Sequence, residues 1–258
     1  MVVENRSEEL SIAMNAAREA GKILLANYGK VTPRYKKDRS ILTDADLASE
    51  RKIKELLKEE FPDYSFLAEE SGLEDNRSEY EWVIDPLDGT TNYSIKNPFY
   101  NVSIALAKDD QPVLGVVYYP FQDELFHAID GGGAYMNWEK IQVSNTADIA
   151  DAFVCFCHGN DSDSVKRATA AFSKIKPVTD KMRQIGAAEL ELSYVGCGRV
   201  DGFFMLRQNP WDVASGTLIV KEAGGKVTDI DGRPFNLKSR DAVASNGLVH
   251  EQLLRLLR

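Results

Sequence analysis

Residues 82–92 read WVIDPLDGTTN, and no other segment limits the fold so sharply. Trp82, Val83 and Ile84 make a short apolar run of the kind that forms a buried strand. The run ends in Asp85-Pro86, where proline predicts an extended turn. Asp88-Gly89-Thr90-Thr91 then opens a predicted helix. A strand built this way delivers acidic side chains to one edge of a sheet, and the rest of the chain must supply that sheet.

The flanking sequence does so in two styles. Residues 8–28 predict an amphipathic helix, with Leu10, Ala13, Met14, Ala17, Ala20 and Leu24 on one stripe and Gly29 to end it. A basic, turn-rich link follows to Ser40. A second helix is predicted from Thr43, a candidate N-cap, to about Glu60. A short apolar segment at 64–68 leads into Glu69-Glu70-Ser71. Residues 101–137 read as successive strands of an antiparallel meander, bent at Gly131-Gly132-Gly133. Beyond residue 140 strands (152–157, 201–206, 226–230, 241–245) alternate with helices (162–173, 186–196, 212–223, 248–258). The expected organisation is an α+β half over 1–140 and an α/β half over 141–258.

Composition narrows the function. At 258 residues, 43% hydrophobic and 28% charged, the chain is long and apolar enough for a sizeable core, which excludes global disorder. Forty acids against thirty-one bases give a net charge of −9, which argues against nucleic acid or an anionic membrane as partner. Three cysteines and three histidines, without CxxC or HExxH spacing, exclude a Cys/His zinc site and fit a reduced, cytoplasmic setting. Residues 1–9 are charged rather than apolar, so no signal peptide is expected, and no run reaches the ~18 apolar residues of a membrane span.

The remaining question is whether some of the acids converge. Asp85 and Asp88 can face one point across their turn, with the carbonyl of Leu87 between them, and hard cations such as Mg²⁺ take oxygen donors of this kind. The N–H groups of Gly89, Thr90 and Thr91, at a helix start, offer a seat for phosphate. Glu69 and Glu70 also follow a strand end and reach toward the same edge. Asp212, in Pro210-Trp211-Asp212, is predicted to open the helix 212–223, and Asp46 lies in the first turn of the second helix. Each acid alone also reads as a surface turn or a helix cap.

Taken together, these segments resemble the inositol monophosphatase family of Mg²⁺-dependent, lithium-sensitive sugar phosphatases. The likeness runs from about residue 8 to 258, through Thr43-Asp44-Ala45-Asp46, Ala68-Glu69-Glu70-Ser71, DPLDGTTN, Gly115 to Tyr118, Arg183 to Ala188, Gly198 to Phe203 and Pro210 to Gly225. It implies a layered αβαβα sandwich, a homodimer, and two or three Mg²⁺ ions, for which Mn²⁺ could substitute. By resemblance, Glu69, Asp85, Asp88, Asp212 and the Leu87 carbonyl hold the metals. Thr90 with Asp46 orients the attacking water, and Glu70 holds a water nearby. Asp88, Gly89, Thr90, Thr91, Arg183, Ala188, Met205, Arg207 and Asp212 line the substrate.

The implied substrate is a small phosphorylated sugar or polyol, such as inositol 1-phosphate. Met205 departs from the family pattern, because inositol-specific members carry a glutamate there to bind ring hydroxyls. Fructose-1,6-bisphosphatase activity, alone or alongside, is therefore the main alternative, with Arg183 or Arg207 on a second phosphate. A nucleotide 3′-phosphatase, an NADP phosphatase and a histidinol-phosphatase are the remaining enzymatic alternatives. A non-catalytic protein of the same fold is the reading from a different class.

Overall fold

A computed structural model describes residues 6–37 and 39–258. Residues 1–5, part of the charged N-terminus on which the signal-peptide reading rests, lie outside the described residues. The first layer is helical. α1 (Ser7–Asn27) and α2 (Asp44–Glu60) flank a small hairpin, β1 (Arg34–Tyr35) with β2 (Ile41–Leu42). Thr43 is the N-cap of α2 and forms a full capping box with Asp46, satisfying donors that the helix start leaves free.

Behind these helices lies an eight-stranded sheet. Its strands are β3 (Ser65–Ala68), β4 (Gly72–Glu74), β5 (Tyr80–Asp88), β6 (Asn101–Lys108), β7 (Gln111–Tyr119), β8 (Glu124–Ile129), β9 (Gly133–Met136) and β10 (Glu139–Lys140), in the order β10-β9-β8-β7-β6-β5-β3-β4. From β5 to β10 it is an antiparallel meander, extending at both ends the one expected over 101–137, whereas β3 and β5 run parallel. One expectation needs correcting. β5 does not stop at Asp85 but continues through Pro86 to Asp88, with a register shift against β6 between the two aspartates. The bulge absorbs the proline, which has no N–H to give to the ladder. The short α3 (Thr90–Ser94) follows.

The second sheet contains β11 (Val154–His158), β12 (Met182–Arg183), β13 (Gly202–Leu206), β14 (Lys226–Thr228) and β15 (Asp241–Ser245), ordered β12-β11-β13-β15-β14. It is mixed, because β15 pairs antiparallel with both β13 and β14. α4 (Ser162–Ile175) and α7 (His250–Leu257) cover its outer face. Between the sheets lie α5 (Ala188–Gly196) and α6 (Ala214–Glu222). α5 sends Leu190 toward Val117 and Phe126 of the first sheet, and Leu192 and Val195 toward Phe203 and Ala244 of the second. Both helices are therefore buried nearly all round, so their sequences lack a polar face. The layers run α1/α2, sheet, α5/α6, sheet, α4/α7, which is the αβαβα sandwich. The predicted helix over 212–223 is broken in the structure. Pro210–Asp212 forms a single 3₁₀ turn, and α6 starts only at Ala214.

Candidate active site

The parallel register of β3 and β5 pairs Ala68 with Ile84, so Glu69 and Asp85 emerge side by side at one sheet edge. The N–H of Glu69 donates to the Ile84 carbonyl at 3.1 Å. Three residues past Asp85, Asp88 meets the start of α5. Its carboxylate accepts from the N–H groups of Ala188 (3.1 Å) and Glu189 (2.8 Å) and from Asn101 Nδ2 (2.7 Å). Asp212 reaches the same space from the 3₁₀ turn, held by Asn209 N at 2.7 Å. Glu69, Asp85, Leu87, Asp88, Gly89, Thr90, Thr91 and Asp212 line one cavity of about 270 Å³.

These acids sit close enough to disturb one another. Burial, followed by the charges of Glu69, Asp88 and Asp212, pushes the Asp85 carboxyl well above the usual range. Burial also raises Glu69 to about 8, against the pull of Lys36, and raises Asp212 to about 7, with Asp88 adding to it. Asp88 is raised by burial, and its hydrogen bonds oppose the shift. Among the described residues, no group of three or more His, Cys, Asp or Glu side chains is placed so that it could hold a metal ion as it stands. The donor set nevertheless suits a hard cation: carboxylate and carbonyl oxygens on one wall, and like charges that a positive ion would relieve.

Thr90 lines the same cavity. Its Oγ1 lies 3.1 Å from Asp46 Oδ1 and 3.0 Å from the Leu87 carbonyl. The other oxygen of Asp46 accepts from the Thr43 N–H (2.8 Å) and hydroxyl (2.6 Å). Gly89, at φ +89°, turns the chain from β5 into α3, and a Cβ there would come within 2.8 Å of the Phe99 carbonyl. Only glycine meets both conditions. The turn leaves Gly89, Thr90 and Thr91 on the cavity wall at the start of α3.

Sequence reasoning missed Lys36. It follows β1 directly and places its Nζ 3.0 Å from Glu69 and 2.7 Å from Glu70. Burial works against the ammonium, but the two glutamates outweigh it and raise its pKa. The basic run Arg34 to Lys37 was the available signal, but two-residue strands carry no periodicity to say where it points. Glu70 also fixes its backbone, with its N–H on Glu50 Oε2 at 2.9 Å.

A second cavity, of about 630 Å³, adjoins the first and shares Glu69 and Asp212 with it. Met205 lines it from β13, together with Arg207, Lys36, Trp211 and His158. His158 is thus an imidazole beside the site, which the scarcity of histidines gave no reason to expect. Arg207 is exposed, with its Nε 3.3 Å from Asp161. Arg183 lies on neither cavity wall, because its guanidinium packs over the Phe153 ring. Ala188 touches the site through its N–H to Asp88.

A profile of the inositol monophosphatase family matches residues 5–258. The chain belongs to the inositol monophosphatase family. Among its relatives, the fructose-1,6-bisphosphatase/inositol-1-monophosphatase of Thermotoga maritima is 35% identical over 252 residues, covering 97% of this chain and 96% of that protein. The inositol-1-monophosphatase of Synechocystis is 40% identical over 254 residues, covering 96% and 88%. A solved member of the fold is the extragenic suppressor protein suhB of Bartonella henselae. It superposes with a TM-score of 0.93 at 32% identity, over 97% of this chain and 98% of that one. Inositol monophosphatase family membership places this chain among phosphatases. Among the described residues no helix is long and apolar enough to cross a membrane.

Proposed function

We propose that this chain is a Mg²⁺-dependent phosphomonoesterase acting on inositol 1-phosphate or a related sugar phosphate. The observation that carries the reading is the single cavity lined by four carboxylates, Leu87 and Thr90, whose hydroxyl lies 3.1 Å from the buried Asp46 behind it. Glu69, Asp85, Leu87, Asp88 and Asp212 would hold two or three Mg²⁺ ions, whose chemistry when bound is to offset phosphate charge and ease deprotonation of water. The protein's own part is then positioning and electrostatics, as phosphoryl transfer requires. Asp46 accepts from the Thr90 hydroxyl, which leaves that oxygen's lone pairs to receive and aim the attacking water. Glu70, tied to Lys36, orients a second water. The N–H groups of Gly89, Thr90 and Thr91 hold the phosphate oxygens.

Fructose-1,6-bisphosphatase activity is the second reading, and the adjoining cavity favours it. Met205 offers no strong acceptor for an inositol hydroxyl, whereas Arg207 offers a cation for a second phosphate. The reading carries with it a cytoplasmic homodimer, which light scattering of the purified protein would check. The function is tested by phosphate release from inositol 1-phosphate, fructose 1,6-bisphosphate, histidinol phosphate, a nucleoside 3′,5′-bisphosphate and NADP, with and without Mg²⁺. Turnover of the first or second, and only with Mg²⁺, supports it. No turnover of any by folded, Mg²⁺-loaded protein refutes it and favours a non-catalytic role.

A further inference from the structure

Glu189 is not on the cavity wall, yet it touches both segments that deliver Asp85, Asp88 and Asp212. It lies wholly buried in the first turn of α5. Its backbone N–H is one of the donors to Asp88. Its side chain reaches the start of α6, just beyond Asp212. There Oε1 accepts from the Ser215 N–H at 3.0 Å and Oε2 from the Gly216 N–H at 2.5 Å, two donors of the kind a helix start leaves free. Oε1 also lies 2.9 Å from Ser103 Oγ, itself 2.8 Å from Ser215 Oγ. Ser103 is the β6 residue registered against Asp85, and Asn101, two residues earlier on the same strand, holds Asp88.

Packing alone does not call for a carboxylate here. An ionisable group buried between two helices is costly unless its oxygens are fully matched, and apolar side chains fill such positions without that demand. The surroundings are fitted to it even so. A Cβ on Gly216 would stand 2.4 Å from Leu192 Cβ and 2.6 Å from Glu189 Oε2, so both α5 side chains together require a glycine in the first turn of α6.

We propose that Glu189 is a positioning residue for the metal site. It sets the start of α6, and so Asp212, relative to Asp85 and Asp88. This inference rests on the phosphatase reading above. Groups that orient metal ligands from behind change metal affinity by about 10–100-fold when removed.

The test is Mg²⁺ binding by the full chain, followed as the rise in Tm with Mg²⁺ concentration, alongside steady-state kinetics. Glu189→Gln keeps the volume but turns an amide NH₂ against an N–H donor of α6. Ser215→Ala removes only the hydroxyl from the network and is the milder change. The expected result is a Mg²⁺ midpoint about tenfold higher for Glu189→Gln, and raised at least about twofold for Ser215→Ala. KM for the phosphate ester at saturating Mg²⁺ should stay within about twofold, since Glu189 acts on the metal ligands and not on the ester. A merely structural Glu189 would lower Tm at every Mg²⁺ concentration and leave both midpoints unmoved, which overturns the inference. If Glu189→Gln fails to fold, an unmoved midpoint in Ser215→Ala overturns it alone. A wild-type protein with no Mg²⁺-dependent rise overturns the phosphatase reading itself, and the inference with it.

Discussion

The hydroxyl of Thr90 lies 3.1 Å from Oδ1 of Asp46, 44 residues earlier in the chain. Asp46 commits its other oxygen to the capping box of α2, so one carboxylate fixes a helix start and aims a hydroxyl into the site. Thr90→Ala is expected to lower kcat by about 10²-fold or more, the scale of losing a group that guides proton transfer. Its Tm should stay near the wild-type value, because Thr90 is only partly buried. Thr90→Ser should recover most of the rate. Phosphate-release kinetics beside a thermal melt check the prediction, and equal loss in both variants would contradict it.

Lys36 bridges Glu69 and Glu70 within a half-buried pocket. Removing the ammonium leaves two carboxylates facing each other. Lys36→Met is expected to destabilise the protein in chelator by about 1–3 kcal/mol, the cost of leaving partly buried charged groups unmatched. Saturating Mg²⁺ should shrink that deficit by supplying positive charge to the same acids. Melts with EDTA and with Mg²⁺ measure the difference. A deficit unchanged by Mg²⁺ would show that Glu69 is not a metal ligand.

Stability should depend on pH in a direction set by the buried acids. Burial raises Asp212 to about 7 and Glu69, Glu189 and Glu191 to about 8. Acids raised this way keep protons in the folded state that the unfolded chain has already released. Their stabilising contribution is complete below the ordinary carboxylate range and is lost as pH rises through 7 and 8. His127 and His250, which burial lowers to about 4, act oppositely, and their contribution is restored by about pH 6.5. The chelator-treated protein should therefore lose Tm between about pH 6.5 and 8.5, and Mg²⁺ should flatten the fall. A Tm that rises over this window in EDTA would contradict the assignment.

Much of this site was legible because its parts combine a local signal with a buried strand. Thr43-Asp44-Ala45-Asp46 announces a helix start, and WVID announces a buried strand that carries acid to the sheet edge. What stayed hidden depends on three-dimensional neighbours. Lys36 sits after a two-residue strand, too short for any alternation. Glu189 and Glu191 are acids of a kind usually found at the surface, but α5 lies between two sheets and buries both. Arg183, which the resemblance puts among the substrate contacts, stands on β12 at the sheet edge and packs over Phe153. The break after Asp212 was missed because Trp211 to Ala223 reads as one apolar-periodic run, whereas the Asp212 side chain caps the preceding turn through Asn209.

Met205 provides a test of specificity. It lies on β13 at the wall of the larger cavity, where its thioether accepts hydrogen bonds weakly. Met205→Glu is expected to raise kcat/KM for inositol 1-phosphate relative to fructose 1,6-bisphosphate by about tenfold, through new bonds to ring hydroxyls and repulsion of a second phosphate. Competition between the two esters measures the ratio. An unchanged ratio would place the substrate's far end elsewhere.

The most direct measurement is Mg²⁺-dependent phosphate release by the wild-type chain beside Asp88→Asn. Asp88 accepts from Ala188, Glu189 and Asn101, so the amide of equal size removes the charge that would hold an ion, and its NH₂ also faces at least one of those donors. The wild type should be active with Mg²⁺ and silent in EDTA. Asp88→Asn, still folded by circular dichroism, should lose at least about 10²-fold in kcat, as expected when a charge-stabilising part of an active site is removed. Undiminished phosphatase activity in the folded variant, or wild-type activity indifferent to EDTA, would contradict the account.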